Sequence, residues 1–147
     1  MLLLRNCIIA SAYAARNDEL SKATIADAKA AGIEEGVLED AKASANLMGM
    51  NNVFYRFRHV IGKETYRQRP ARLRMGRLVH VTSNKPDSEL FSLAVSSINN
   101  CEACLKAHKV SAMEGGSNRL GAATSISPMH MSAQRPKWVG WHSRVAA

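Results

Sequence analysis

The sequence predicts an all-α fold, a compact helical domain that carries a C-x-x-C pair on a helix and ends in an irregular tail. Between residues 47 and 61, apolar side chains recur at steps of three and four, the helical repeat. Gly32, Gly62 and the pair Asn99-Asn100 separate the patterned segments. The segment 92–98, the best candidate for a strand, lacks the alternation of apolar and polar residues that a strand shows.

The chain begins with an apolar, Ala-rich stretch from Leu2 to Arg16 that predicts the first helix. Its start resembles a signal peptide, but Arg5 and Asn6 interrupt the apolar run and the acidic residue Asp18 follows soon after. We therefore expect a helix of the core at this position. No stretch approaches the roughly 18 apolar residues that a membrane span needs.

Two further helices are predicted in the first half of the chain. Residues 19–31 form a helix that ends near Gly32, and residues 36–61 form a long helix that ends at Gly62. The long helix carries an apolar stripe, which we expect in the core, made of Leu47, Met50, Phe54, Phe57 and Ile61 with Val53 and Val60 beside it.

The second half of the chain predicts three more helices. Pro70 suits the first turn of a helix over 71–78, and residues 82–86 form a loop. Asp87 or Ser88 can cap a helix over 89–98. A last helix runs from about residue 101 to 113. We therefore assign residues 1–116 to one helical domain and 117–147, which has no helical or strand period, to a poorly ordered tail.

The net charge of +8 comes from two parts of the chain, residues 56–77 and the tail after Glu114, which has basic residues and no acid. Between Arg56 and Arg77, a single acidic residue, Glu64, accompanies many basic ones. A segment of this kind is usually a solvated face or a subunit contact, and a basic nucleic-acid-binding module is the alternative from another functional class. A steep salt dependence of DNA affinity would favour that alternative.

The three cysteines do not form a disulfide framework in a chain of 147 residues. Cys7 lies among apolar residues, and we expect a buried, inert thiol there. Cys101 and Cys104 form the C-x-x-C pair. Without an export signal we expect a cytoplasmic protein, in which such a pair is redox-active or binds a metal.

The residues around the pair favour redox chemistry. Cys101 lies at a helix start, where free backbone N–H groups stabilise a thiolate. Cys104 lies one turn later on the same face, close enough to form a disulfide with Cys101. His108 follows Cys104 by four residues and can take its proton. If the chain reverses at Asn99-Asn100, His108 returns close to Glu89, which can orient or deprotonate it.

Other chemistries remain open on the residues alone. Cys101, Cys104 and His108 could supply three zinc ligands, although the sequence has no second C-x-x-C or close His pair to supply a fourth. Haem c attachment would need His where Leu105 stands, and a thioredoxin-like site would need a preceding strand. Two incidental core cysteines are the remaining interpretation.

Three runs of residues carry a resemblance to a known family. They are Asn46–His59 (NLMGMNNVFYRFRH), Pro70–Met75 (PARLRM) and Glu89–His108 (ELFSLAVSSINNCEACLKAH). They resemble the alkyl hydroperoxide reductase AhpD family of the carboxymuconolactone decarboxylase-like superfamily, over roughly residues 3 to 116. Glu89, both cysteines and His108 fall at the spacing of the family's motif.

The resemblance implies an all-α fold, usually a homotrimer, and a lipoyl-dependent peroxidase of organic hydroperoxides with no bound cofactor or metal. Dihydrolipoamide on a lipoyl-bearing protein would supply electrons, and a partner peroxiredoxin could receive them. By analogy Cys104 would attack the peroxide, Cys101 would resolve the sulfenic acid as a disulfide, and His108 and Glu89 would form the proton relay.

The sequence departs from the family's usual pattern at both ends. The family normally has more helical sequence before the position of Leu2, and after Gly116 it continues with an amphipathic helix that residues 117–147 do not resemble. We therefore expect a chain truncated at its N-terminus and divergent after Gly116. A catalytically inactive remnant of the family, marginally stable, is a third interpretation.

Overall fold

The computed structural model describes residues 2–116, and this part of the chain is all-helical, as predicted. The predicted tail over 117–147 lies outside the described residues. The helices are α1 (Leu2–Ala14), α2 (Asp18–Ala30), α3 (Glu35–Ile61), α4 (Glu64–Arg67), α5 (Lys85–Ile98) and α6 (Glu102–Glu114).

Helix α5 lies at the centre of the described domain and packs against α1, α3 and α6, while α2 packs on α1. Its side chains Leu90, Phe91 and Val95 are fully buried. They meet Ile9 of α1 and Leu38 of α3 in one continuous apolar core. Because Glu89 is on α5 and the cysteines begin α6, the same packing that forms the core also positions the predicted site.

The signals that start and stop the helices act mostly as predicted. Gly62 ends α3 in the left-handed conformation with φ of 66°, which glycine adopts at little cost. Asn100, with φ of 52°, reverses the chain between α5 and α6. The prediction for the start of α5 was wrong, because the capping residue is Asn84, whose side chain accepts a hydrogen bond from the backbone N–H of Asp87 at 2.9 Å. The helix therefore begins earlier, with Pro86 in its first turn.

The helix predicted over 71–78 is not formed. Residues 71–75 are irregular, and only Gly76–Leu78 makes a single 3₁₀ turn. Arg72 has φ of 50°, a left-handed conformation that a helix cannot contain. No residue between 62 and 84 is fully buried, and Leu78 is the one residue of this segment that packs against the core, so little apolar burial is present to stabilise a helix.

The stripe expected in the core was also predicted incorrectly over most of its length. Leu47 packs against the core, but Met50, Val53, Phe57, Val60 and Ile61 are between 38% and 73% exposed. The buried face of α3 instead carries Leu38, Ala41, Ala45, Met48 and Asn52. Alanine and asparagine contribute little to an apolar pattern, so the pattern favoured the more hydrophobic face over the one that packs.

None of the described helices is long and apolar enough to cross a membrane. Helix α1 is a core helix, as predicted, with Cys7, Ile9 and Ala10 fully buried. Burial raises the pKa of the Cys7 thiol to about 12, with a smaller contribution from the charge of Asp87. This thiol is therefore protonated and inert at neutral pH, in line with the prediction.

Candidate active site

Cys101 and Cys104 are joined by a disulfide at the start of α6. Cys101 is the N-cap residue of the helix, and Cys104 lies in its first turn. Their Cα atoms are 5.3 Å apart, a separation within the range for disulfides. Both are buried, with Cys101 fully enclosed and Cys104 5% exposed.

The turn between α5 and α6 determines where the disulfide lies. The backbone N–H of Cys101 donates to the carbonyl of Ser96 at 3.1 Å. The side chain of Asn99 donates to Asn52 of α3 at 2.9 Å, and Asn52 donates to the hydroxyl of Ser96 at 2.9 Å. This buried set of polar contacts fixes the turn to α3. It was missed in the sequence, where isolated asparagines carry no distinctive spacing.

Glu89 and His108 are in direct contact, so the predicted proximity of these residues is confirmed. The ring nitrogen Nδ1 of His108 lies 2.6 Å from Oε2 of Glu89. Since a carboxylate only accepts, Nδ1–H is the donor. The side chains are 15% and 18% exposed, so water screens this pair only in part.

The second ring nitrogen of His108 faces a methionine. Nε2 lies 3.1 Å from Sδ of Met48, a fully buried residue of α3. Within residues 2–116, His108 makes no hydrogen bond to either cysteine sulfur in this disulfide form. It is nevertheless only one turn beyond Cys104 on α6. Nothing in the sequence pointed to Met48, because it lies far from the C-x-x-C pair along the chain.

The charged residues near the Cys101–Cys104 pair are exposed to solvent. Glu102 forms an ion pair with Lys106 at 2.5 Å and lies 3.7 Å from Nε2 of His59. A hydrogen bond from Lys106, its charge and the charge of His59 lower the pKa of the exposed Glu102 carboxyl. Glu102 therefore remains charged at neutral pH beside the cysteine pair.

A cavity of about 380 Å³ adjoins the turn that precedes Cys101. Its lining includes Asn99, Asn100, Arg16 and Arg56. Arg56 donates to the backbone carbonyl of Asn99 at 3.4 Å, so its charge compensates the carbonyl end of α5. Among the described residues, no three His, Cys, Asp or Glu side chains are grouped so that they could hold a metal ion.

Comparison with models of protein families gives no match. Comparison with curated proteins gives relatives named alkyl hydroperoxide reductase AhpD. One from Anaeromyxobacter dehalogenans strain 2CP-1 is 53% identical over 108 residues, covering 74% of this chain and 58% of the relative. One from Brucella canis is 46% identical over 101 residues, covering 69% of this chain and 57% of the relative.

A third relative matches more of the chain. The protein of the same name from Anaeromyxobacter sp. strain Fw109-5 is 51% identical over 145 residues, covering 95% of this chain and 78% of the relative. That coverage cannot be reached without part of the segment after Gly116. Against the other two relatives, the chain spans little more than half of their length. Over most of its length, this chain belongs to the alkyl hydroperoxide reductase AhpD family.

Proposed function

We propose that this chain is a thiol-dependent peroxidase that reduces organic hydroperoxides through a dithiol–disulfide cycle of Cys101 and Cys104. The observation that carries the proposal is the disulfide at the start of α6, one turn before a histidine held by a carboxylate at 2.6 Å. Membership of the AhpD family supports the substrate class, since the relatives are named for alkyl hydroperoxide reduction.

In the reduced form, Cys104 is the attacking residue. His108 takes the proton of Cys104, and Glu89 stabilises the resulting imidazolium. The thiolate attacks the outer peroxide oxygen, the O–O bond breaks, and the alkoxide leaves as alcohol after protonation. Cys104 is then a sulfenic acid, and the Cys101 thiol displaces water from it to form the disulfide.

A dithiol closes the cycle. We propose dihydrolipoamide, carried by a lipoyl-bearing protein, as the electron donor and a peroxiredoxin as a further partner. Thiol–disulfide exchange then converts the lipoyl dithiol to its disulfide and restores both cysteines. Each turnover consumes one hydroperoxide and one dithiol and yields alcohol, water and the oxidised lipoyl group. The chain would thereby act in antioxidant defence in the cytoplasm, without a bound cofactor.

We also propose that the chain assembles as a homotrimer. The exposed apolar stripe of α3 supports this, because Val53, Phe57 and Val60 are 69%, 49% and 73% exposed on one helix face. Analytical ultracentrifugation should give the mass of three chains at micromolar concentration. A monomer mass would contradict this part of the proposal and would leave the chemistry of the cysteine pair untouched.

Nucleic-acid binding is supported less well. Two of the arginines that would contact phosphates have partners within the chain, since Arg58 donates to backbone carbonyls of 66–69 and Arg77 pairs with Asp40. A salt-dependent affinity for DNA measured beside the peroxidase assay would distinguish the two functions.

The direct test is consumption of an organic hydroperoxide by the purified chain with dihydrolipoamide as reductant. We expect turnover by the wild type and by Cys7→Ala, because Cys7 is buried and outside the site. Cys104→Ser should show only background turnover while keeping its helical circular dichroism. Equal rates for Cys104→Ser and the wild type would contradict the proposal, and a folded but inactive wild type would indicate a remnant.

A further inference from the structure

The sulfur of Met48 lies against the part of His108 that the proton relay needs. Nε2 of His108 is 3.1 Å from Sδ of Met48, while Nδ1 is 2.6 Å from the carboxylate of Glu89. A thioether sulfur is a weak acceptor with no hydrogen to give, and a carboxylate is also an acceptor. The imidazole ring therefore has an acceptor at each of its two nitrogens.

The two contacts constrain where the hydrogens of the ring lie. If Nε2 carried a lone pair, it would make no hydrogen bond to the sulfur at 3.1 Å. With hydrogen on both nitrogens, each N–H has an acceptor and the charge of the ring lies beside Glu89. The surroundings of the sulfur agree, since the Asn52 amide lies 3.9 Å away and also presents a donor to it.

We propose that Met48 is a positioning residue for the disulfide form of the site, which holds His108 with a hydrogen on Nε2 by accepting that hydrogen at its thioether. This inference rests on the proposed function, because it assigns Met48 a task in the dithiol–disulfide cycle. Met48 is suited to it because it is fully buried, so its sulfur is shielded from water.

The proton on Nε2 of His108 can be transferred when a dithiol reduces the disulfide. The first reductant thiol loses its proton to solvent, and its thiolate attacks Cys101, the residue that follows Asn100 of the cavity lining. The Cys101–Cys104 bond breaks, and Cys104 leaves as a thiolate that takes the Nε2 proton from one turn away. The sulfur of the second reductant thiol attacks the mixed disulfide, and its proton passes to the Cys101 thiolate that is released. His108 ends neutral, as the proposed attack on peroxide requires, and it regains its Nε2 proton from solvent once the disulfide has formed again.

The test uses two substitutions of similar size at one position. Met48→Leu keeps the volume and removes the acceptor, a change that a core usually tolerates. Met48→Gln also keeps the volume and supplies a carbonyl acceptor. Met113→Leu is the matched control, since Met113 is 54% exposed on α6 and has no described contact with His108. Circular dichroism and urea unfolding establish that each variant is folded.

The first measurement is nitrogen NMR of the ring nitrogens in the oxidised, isotope-labelled protein at neutral pH, with His108→Gln to assign the signals. We expect hydrogen on both nitrogens of His108 in the wild type, in Met113→Leu and in Met48→Gln. In Met48→Leu, the Nε2 hydrogen should be lost or exchange rapidly with water. An unprotonated Nε2 in the wild type, or no change in Met48→Leu, would overturn the proposal. This result does not depend on peroxidase activity, so it separates the proposal from the proposed function.

The second measurement is the kinetics of the dithiol-driven reaction. Met48→Leu should lower kcat about two- to tenfold, the range for one modest hydrogen bond, and leave KM for the hydroperoxide unchanged. Met48→Gln should restore most of the rate. A change confined to KM, or equal rates in both variants, would overturn the assigned role of Met48.

Discussion

The α5–α6 hairpin and the segment that joins α3 to α5, residues 62–84, are held in place by different forces. The hairpin buries large apolar side chains, including Leu90, Phe91 and Val95. The joining segment has no fully buried residue. Polar side chains of α3 hold it instead, Arg58 at one end, Asn51 at Met75 and Asp40 at the other end. Leu78 is partly buried against the core.

The candidate catalytic residues and the segment 62–84 thus lie in regions that are stabilised differently. Every candidate catalytic residue lies on the hairpin, which non-directional apolar packing holds together with hydrogen bonds of Asn52 and Asn99 at its turn. The joining segment depends on directional hydrogen bonds to two charged groups, which are sensitive to pH and salt. Changes in the hairpin should therefore abolish folding or chemistry, whereas changes at the joining segment should loosen the molecule locally.

The largest effect is expected from Phe91→Ala in the hairpin. Phe91 is fully buried at the centre of the core, so the substitution leaves a cavity and should lower the free energy of unfolding by about 3–5 kcal/mol. Urea denaturation followed by circular dichroism measures this. Val79→Ala in the joining segment is the control, because Val79 is 74% exposed and should change stability by less than about 0.5 kcal/mol. Similar losses for both would remove the distinction between the regions.

Glu89→Gln should separate chemistry from stability within the hairpin. The amide keeps the size of the carboxylate but cannot balance the charge of His108, 2.6 Å away. We expect kcat for hydroperoxide reduction to fall about 100-fold, with the urea midpoint nearly unchanged because Glu89 is partly exposed. A variant that retains full activity would show that the contact serves structure alone.

Asp40→Asn should release the end of the joining segment. The buried carboxylate accepts hydrogen bonds from the backbone N–H groups of Thr82 and Ser83, both at 2.7 Å, and pairs with Arg77. An amide cannot satisfy these donors equally, so we expect a loss of about 1.5–3 kcal/mol of stability at neutral pH. Faster tryptic cleavage within 62–84 should accompany the loss.

The pH dependence of the Asp40 contribution has a definite sign. Burial alone would raise the pKa of Asp40, but hydrogen bonds from Ser83 and the hydrogen bond and charge of Arg77 outweigh it, so the pKa lies below 3.8. The stabilisation is thus fully present above that value and is lost as the pH falls through the lower pKa of the folded state. The free energies of unfolding of the wild type and Asp40→Asn should become similar below the pKa of the folded state. A difference between them that stays the same at every pH would contradict this account.

The smallest effect is expected from Arg58→Ala. Its guanidinium donates to the carbonyls of Tyr66 and Arg67 at 2.6 and 2.5 Å and lies over the ring of Phe54 at 4.9 Å. These contacts are exposed, so the loss should be below about 1 kcal/mol in urea unfolding. Arg74→Ala, which removes no described contact, should change nothing. A loss as large as that of Phe91→Ala would show that the segment is part of the cooperative core.

The sequence allowed the hairpin to be predicted far better than the joining segment. The apolar residues of α5, the break at Asn99-Asn100 and the cysteine spacing are local signals, and they placed Glu89 beside His108 correctly. The helix expected over 71–78 failed because Pro70 suggested a helix start in a segment that has no fully buried residue and packs on the core through Leu78 alone. Met48 and Asp40 could not be predicted, since their partners lie 60 and 43 residues away along the chain.

The most direct test of the redox chemistry is a single turnover. The fully reduced protein is treated with one equivalent of an organic hydroperoxide, its free thiols are counted, and its disulfides are mapped by mass spectrometry. We predict the loss of two thiols per chain, a Cys101–Cys104 disulfide and an unmodified Cys7, because Cys7 is fully buried with a raised pKa. Retention of all thiols, or oxidation that involves Cys7 instead, would contradict the assignment of the α5–α6 hairpin as a peroxide-reducing site.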